Sequence, residues 1–285
     1  MIELPETYVL ADQINNTLVG KTVMNATANA SPHKFAWYSG DPNEYHEKLA
    51  GKTITAAHPG TGYTCGGNTE IVCGDMLLVM STPIKYHAAD EKLPAKHQLW
   101  LEFEDFSSMT CTVQMWGAML CYKTGTDYKA DKDELPEGYI INKSPTPLED
   151  GFDEKYFDRL LSGVKKNLSA KAFLATEQRI PGLGNGVLQD ILFNTRINPK
   201  TKLEKLSDKQ LDGMYRSVKD TMFAMTAQGG RDTERDLFGQ SGGYKTILSS
   251  KTVDKPCPVC GGVIVREAYM GGNVYYCPVC QPRVN

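Results

Sequence analysis

Cys257, Cys260, Cys277 and Cys280 form two Cys-x2-Cys pairs separated by sixteen residues. Two such knuckles can present four thiolates to one tetrahedral ion at about 2.3 Å each, and the ion favoured by that ligand set is zinc. Val263-Ile264-Val265 and Val274-Tyr275-Tyr276 read as short strands around the turn Met270-Gly271-Gly272-Asn273. The pattern predicts a zinc ribbon holding one structural Zn2+, a unit too small to fold without its metal. Two disulfides in a secreted tail are the alternative, disfavoured by the spacing and by the lack of a legible signal peptide. Cys65, Cys73, Cys111 and Cys121 lack the knuckle spacing and are expected to be small buried hydrophobes. A second chemical feature is Gln178-Arg179-Ile180-Pro181-Gly182-Leu183-Gly184-Asn185-Gly186, a Gly-rich turn between two expected helices. Asn185 is an able N-cap, and free amides at the positive end of a helix suit a phosphate. Close helix–helix packing would explain the same glycines.

The elements that must position these groups differ between the two halves of the chain. Residues 1–154 hold 11 Lys, no Arg and 22 Asp or Glu, a balance of −11; residues 155–285 hold 20 Lys or Arg and 12 acids, a balance of +8. An acidic front and a basic back point the C-terminal half toward a polyanion. No apolar run approaches the roughly 20 residues that span a bilayer, so a cytoplasmic protein with no membrane partner is expected.

Helical spacing of Val9, Leu10, Ile14 and Leu18 predicts a leading helix from Glu6 to about Leu18, stopped by Gly20. Between Lys21 and about Tyr122, short β-branched and aromatic runs predict an antiparallel β-sandwich, with strands at Lys52–Ile54, Glu70–Cys73, Met76–Val79 and Leu99–Phe103. A polar stretch over 123–150 marks a boundary near Pro145-Thr146-Pro147. The period then becomes helical: one face at Tyr156, Phe157, Leu160, Leu161 and Val164, then helices over Ala170–Glu177, Asn185–Asn194 and Asp208–Ala227. Ser207 and Gln210 form a capping-box pattern. A Gly-rich loop, Gly229–Lys245, carries Arg231, Arg235 and Lys245. The expected fold class is multidomain α+β: a sandwich over 1–148, a helical domain over 149–250 and a ribbon over 251–285.

In order and content these motifs resemble the formamidopyrimidine-DNA glycosylase and endonuclease VIII family. The resemblance rests on Glu3-Leu4-Pro5-Glu6, the Gly182–Asn185 turn, Gly229-Gly230, Asp236, Gly242-Gly243-Tyr244 and the finger ending Cys280-Gln281, and it spans nearly the whole chain. It implies a helix–two-turns–helix domain that grips the DNA backbone, and base excision on double-stranded DNA carrying a damaged base or abasic site. Family members flip the lesion out of the duplex. An N-terminal amine then attacks the sugar C1′ to form a Schiff base, and elimination cuts the strand. An α-amino group, with a reference pKa of about 7.7–8.0, is more easily deprotonated near neutrality than a lysine.

Carried over position by position, the resemblance implies a catalytic set of Met1 or Ile2 as amine, Glu3 and Glu6 as acids, and Lys96 as a phosphate contact at the start of a strand. Gln114-Met115-Trp116-Gly117 looks like the loop of the endonuclease VIII branch that fills the gap left by the flipped base, with an amide, an apolar wedge and a stacking ring. Gly184, Asn185, Arg231 and Tyr244 complete the expected DNA contacts of a monomeric, nucleoid-associated protein.

Two departures bear on activity. Ile2 stands where the family has the proline whose amine reacts, and Met1 is ordinarily trimmed only before small residues. Gly272 stands where the family's finger has a phosphate-binding arginine, which Arg266 on the preceding strand does not clearly replace. Three readings therefore remain open: a bifunctional glycosylase and lyase, a lesion-binding paralogue with impaired chemistry, and a zinc-ribbon adaptor for protein or RNA.

Overall fold

The computed structural model describes residues 2–60, 66–115, 117–127, 144–177 and 179–284. Met1, residues 61–65 including Cys65, Trp116, Gln178 and residues 128–143 of the polar stretch lie outside the described residues.

The leading helix, α1 (Leu4–Thr17), starts two residues before the sequence suggested. Pro5 sits in its first turn, where a missing N–H has no intrahelical acceptor to serve. The helix joins two cores. Leu10, Ala11, Ile14 and Leu18 face the sandwich, whereas Leu4 packs with the helical domain beside Leu183 and Val187.

The sandwich strands are β1 (Val23–Ala28), β2 (Ala36–Trp37), β3 (Ile54–Gly60), β4 (Asn68–Cys73), β5 (Met76–Met80), β6 (Ile84–His87), β7 (Leu99–Phe103), β8 (Ser108–Cys111) and β9 (Gly117–Lys123). They form a four-stranded sheet, β1-β7-β8-β6, and a five-stranded sheet, β2-β9-β5-β4-β3. All pairings are antiparallel except β2 with β9. In β7, Leu99, Leu101 and Phe103 are buried while Trp100 and Glu102 are partly open, the period-2 alternation of a half-buried strand. The expected strand at Lys52–Ile54 catches only the first residue of β3. A short helix between β2 and β3, α2 (Tyr45–Leu49), was not anticipated. It depends on a tertiary bond: the buried Tyr45 hydroxyl donates to the Met119 carbonyl at 2.7 Å. Cys73, Cys111 and Cys121 are buried, as expected.

The helical domain contains α3 (Glu154–Ser162), α4 (Ala170–Ala175), α5 (Val187–Asn194) and α6 (Asp208–Ala227) around Phe157, Phe173, Ile191 and Met222. The capping box of α6 forms as read from Ser207 and Gln210. α4 ends earlier than expected, because Arg179 Nη1 donates to the carbonyls of Ala172 at 2.9 Å and Thr176 at 3.1 Å and takes over the helix end. The ribbon hairpin, β10 (Val265–Tyr269) and β11 (Gly272–Tyr276), turns through Met270 and Gly271, both at positive φ (49° and 72°). Two positive-φ residues match the twist of an antiparallel hairpin. Val263, expected in the first strand, makes only an isolated bridge to Pro256.

Candidate functional site

Glu3 lies just ahead of α1, yet it is not a surface acid; its side chain is 10 % exposed. Its Oε1 accepts from Gly186 N and its Oε2 from Val187 N, both at 2.8 Å. The positive end of α5 is therefore capped by a carboxylate from another element, rather than by Asn185 as the sequence suggested, and these amides are already engaged by protein. The turn must be glycine-rich for this. A Cβ on Gly184 would fall 2.7 Å from Glu3 Cδ, and one on Gly186 would fall 1.7 Å from Arg231 Nη1.

Arg231 is the correction of most consequence. Expected to face DNA, it is 2 % exposed and lies inside the acid corner. Its Nε donates to Glu6 Oε1 at 2.9 Å and its Nη2 to Glu6 Oε2 at 2.8 Å, a bidentate pair, while Nη1 lies 3.5 Å from Glu3 Oε2. Its backbone N–H also donates to Glu6 Oε1, at 3.2 Å. Burial opposes the charged guanidinium, but the Glu3 and Glu6 carboxylates outweigh it and hold the group cationic. A third acid, Glu234, sits 3.8 Å from Arg231 Nη2. Burial raises its pKa; Arg231 opposes the shift and Glu6 and Glu3 reinforce it. Sequence reasoning missed Glu234, which belongs to no motif and meets Glu3 only through the fold.

Three other expected site residues also lie differently. Ile2 packs its side chain in the sandwich core, 2 % exposed, and its carbonyl accepts from Gly67 N at 3.1 Å, so it is not the open terminal residue that an exposed amine would require. Gly184 is buried under Glu3 rather than open to a phosphate. Tyr244 packs on the helical core and pairs its hydroxyl with Asp190. Asp190 also accepts from Ile247 N at 2.9 Å and Leu248 N at 2.8 Å, and burial pushes its carboxyl up to about 6 against those bonds. This carboxylate fastens the chain leading to the ribbon onto α5.

Lys96 and the Gln114–Trp116 loop are different in kind. Lys96 is exposed on the loop entering β7, and its carbonyl accepts from Thr112 Oγ1 at 3.5 Å, so the two features share one edge of the sandwich. Gln114 and Met115 are open to solvent, Met115 at 71 %, and Trp116 lies outside the described residues. Beneath them the loop is pinned. The buried Gln98 accepts from Val113 N at 2.7 Å and donates to the Ser31 carbonyl at 2.8 Å. On the far side, Ser81 Oγ accepts from Ala118 N at 2.8 Å. Phe35, also exposed, accepts from Gly117 N at 2.9 Å through its carbonyl. Gln98 and Ser81 carry no sequence signal, because an amide or hydroxyl buried under a loop looks like any polar strand-end residue.

The four ribbon thiols converge, with all Sγ atoms within 4.8 Å of one another. Cys257 and Cys280 are 3.8 Å apart and Cys260 and Cys277 3.4 Å. A tetrahedral ion with bonds of about 2.3 Å sets its sulfurs about 3.8 Å apart, so the cluster fits a metal. The ribbon docks on the helical domain through backbone acceptors. Lys171 Nζ donates to the Tyr269 carbonyl at 2.7 Å, and Asn185 Nδ2 and Gln189 Nε2 donate to the Asn273 carbonyl at 3.0 and 3.2 Å. Asn185 is thus engaged by the hairpin tip rather than held free for DNA. At Gly272 an added Cβ would lie 3.5 Å from Lys171 Nζ, so a cation from the helical domain stands beside the bare tip.

A β-sandwich and a helical domain bridged by one helix carry a four-cysteine ribbon docked on a Gly-x-Gly-Asn turn, a fold shared with solved Fpg structures. Over its full length the chain is similar to proteins named formamidopyrimidine-DNA glycosylase. It is 28 % identical to the Lactobacillus delbrueckii subsp. bulgaricus formamidopyrimidine-DNA glycosylase, over 99 % of this chain and all of that protein. Against the Bacillus subtilis protein of the same name it is 25 % identical, again over 99 % of this chain and all of the relative. The solved structure of the MutM (Fpg) protein of Thermus thermophilus matches with a TM-score of 0.78 at 20 % identity, covering 99 % of this chain and all of that one. The Lactococcus lactis Fpg in complex with abasic-site DNA matches equally, with a TM-score of 0.78 at 20 % identity and the same coverage. No protein-family profile matches the chain.

Proposed function

We propose that this protein binds duplex DNA carrying a damaged base or an abasic site and acts on it as a DNA glycosylase with associated lyase activity. The observation that carries the reading is the acid corner: Glu3 and Glu6, buried together, both paired with one arginine and adjacent to the start of the chain. Buried charge is costly, and such an arrangement suits a reaction in which positive charge develops nearby. The α-amino group of the mature N-terminus is the nucleophile, whether that residue is Met1 or Ile2. Its neutral form attacks C1′ as the bond to the base breaks and the base leaves with that electron pair. The attached ammonium then gives up a proton, O4′ takes one as the C1′–O4′ bond opens, and the iminium so formed lies beside the carboxylates of Glu3 and Glu6. Gln114, Met115 and Trp116 fill the space vacated by the flipped base, and Lys96 contacts the backbone on the same edge.

One structural Zn2+ on Cys257, Cys260, Cys277 and Cys280 holds the ribbon, with no chemical step of its own. We also infer working units of 1–148, 149–250 and 251–285, with α1 shared by the first two, in a monomeric protein acting at the nucleoid in the cytoplasm. No described helix is long and apolar enough to cross a membrane.

One observation favours a second reading, a lesion-binding paralogue without efficient chemistry: the buried Ile2 side chain restrains the residue that must present the amine. Borohydride trapping on abasic-site duplex separates the two. The glycosylase reading expects a covalent protein–DNA adduct, with intact mass identifying the terminal residue; tight binding without any adduct leaves the binding reading.

A further inference from the structure

The Gln114–Met115 edge has a neighbour that no motif marks. Ser31 to Phe35, between β1 and β2, runs beside the loop entering β7 and reaches the edge loop from its far side. Ser31 N donates to the His97 carbonyl at 3.0 Å, and the Ser31 carbonyl accepts from Gln98 Nε2 at 2.8 Å. Gln98 is the same side chain that holds Val113 N. Farther along, the Phe35 carbonyl accepts from Gly117 N at 2.9 Å, and Ala36 and Trp37 pair with Gly117 and Ala118. The turn is also closed on itself: Ala36 N donates to the His33 carbonyl at 3.0 Å and Phe35 N to His33 Nδ1 at 3.2 Å. On this pinned backbone the Phe35 ring is 45 % exposed, and Lys34 Nζ stands 5.3 Å from its centroid.

A single exposed apolar side chain means little by itself. Charge sets this one apart. Residues 1–154 hold 22 acids, yet the three stretches that meet here, 29–40, 92–101 and 106–122, contain no Asp or Glu and contribute Lys34, Lys92 and Lys96. An acid-free, lysine-bearing edge with a fixed, open ring complements a polyanion that also offers flat apolar faces. A duplex with one base flipped out offers both. We propose that Phe35 is a second stacking residue of the DNA-contacting edge. Its ring takes a base face laid bare by the flipped nucleotide, beside Met115, and the exposed Lys34 meets a neighbouring phosphate. The proposal rests on the damaged-DNA reading above but not on chemistry at the N-terminus, so it holds for the glycosylase and for the lesion-binding paralogue alike.

The test is equilibrium binding by the wild-type protein, Phe35→Ala, Phe35→Leu and Phe35→Trp, on intact duplex and on duplex carrying a tetrahydrofuran abasic analogue, with thermal unfolding of each protein alongside. Phe35→Ala should weaken analogue binding about tenfold and intact-duplex binding less than about twofold, with a thermal midpoint close to that of wild type. Phe35→Trp should stay within about threefold of wild type on the analogue, whereas Phe35→Leu, which keeps apolar bulk without a ring, should fall near Phe35→Ala. A 2-aminopurine placed beside the analogue should be quenched more by the wild-type protein than by Phe35→Leu. Lys34→Ala should weaken both duplexes alike and lower the slope of log affinity against log salt by about one; an unchanged slope would overturn the phosphate contact. No loss in Phe35→Ala, equal loss on both duplexes, wild-type affinity in Phe35→Leu or a marked fall in the thermal midpoint would each overturn the stacking role and leave the damaged-DNA reading standing. If the wild-type protein does not prefer the analogue to intact duplex, that reading falls and this inference with it.

Discussion

The acid corner and the Gln114–Met115 edge are both built for precision, by opposite means. In the corner the functional groups are themselves buried, and each charge is held by another charge or by a helix end: Glu3 by α5, Glu6 by Arg231. On the edge the Gln114 and Met115 side chains stand open to solvent, and precision comes from the layer beneath, where Gln98 and Ser81 bond the backbone on either side of the loop. Chemistry on charge needs a preorganised, water-poor setting. A group that enters the DNA stack must be free to leave solvent, and it needs only a firm base. Damage to the corner should therefore register first as lost stability, and damage to the edge as lost binding in a protein of normal stability.

The sharpest break in that contrast is Arg231→Met. It leaves Glu3 and Glu6 buried without their cation and should cost about 3–5 kcal/mol, read from guanidinium unfolding. Adding Glu6→Gln should recover part of the loss, and strict additivity of the two changes would contradict the pairing. Gly186→Ala comes next, at about 1–3 kcal/mol, because its methyl group collides with the guanidinium. In the Arg231→Met background the same substitution should cost markedly less; an unchanged penalty would mean that the collision is not its cause. On the edge, Met115→Ala should leave stability within about 0.5 kcal/mol while weakening abasic-duplex binding about tenfold, measured by titration. A stability loss comparable to that of Gly186→Ala would erase the distinction between the two regions. The smallest effect belongs to Lys96→Ala: a reduction of about one in the slope of log affinity against log salt, similar for damaged and intact duplex.

Much of the architecture was legible in the chain. The four cysteines, the α6 capping box and the strand at β7 follow from spacing and pattern alone, and the resemblance pointed to Glu3, Glu6 and the edge loop as candidates. Boundaries slipped where a distant group terminated an element, as when Arg179 took the carbonyls at the end of α4 and Glu3 capped α5. Roles slipped for a related reason. Arg231 reads as a basic loop residue suited to DNA, and nothing local reveals that Glu6, 225 positions away, will meet it in the interior.

By itself, the sequence determined the quantities that depend on near neighbours: the knuckle spacing that brings thiols within reach of one ion, the periods that set strand and helix, and the glycines that let backbone and side chain approach closely. Only the tertiary structure decided which charges are buried together and which remain free. Residues far apart in the chain lose water jointly, and the strength of an ion pair or the proton affinity of a carboxyl depends on that shared loss. For this reason Glu3 and Glu6 meet around one guanidinium, and Arg231 moves from the expected surface to the centre of the corner.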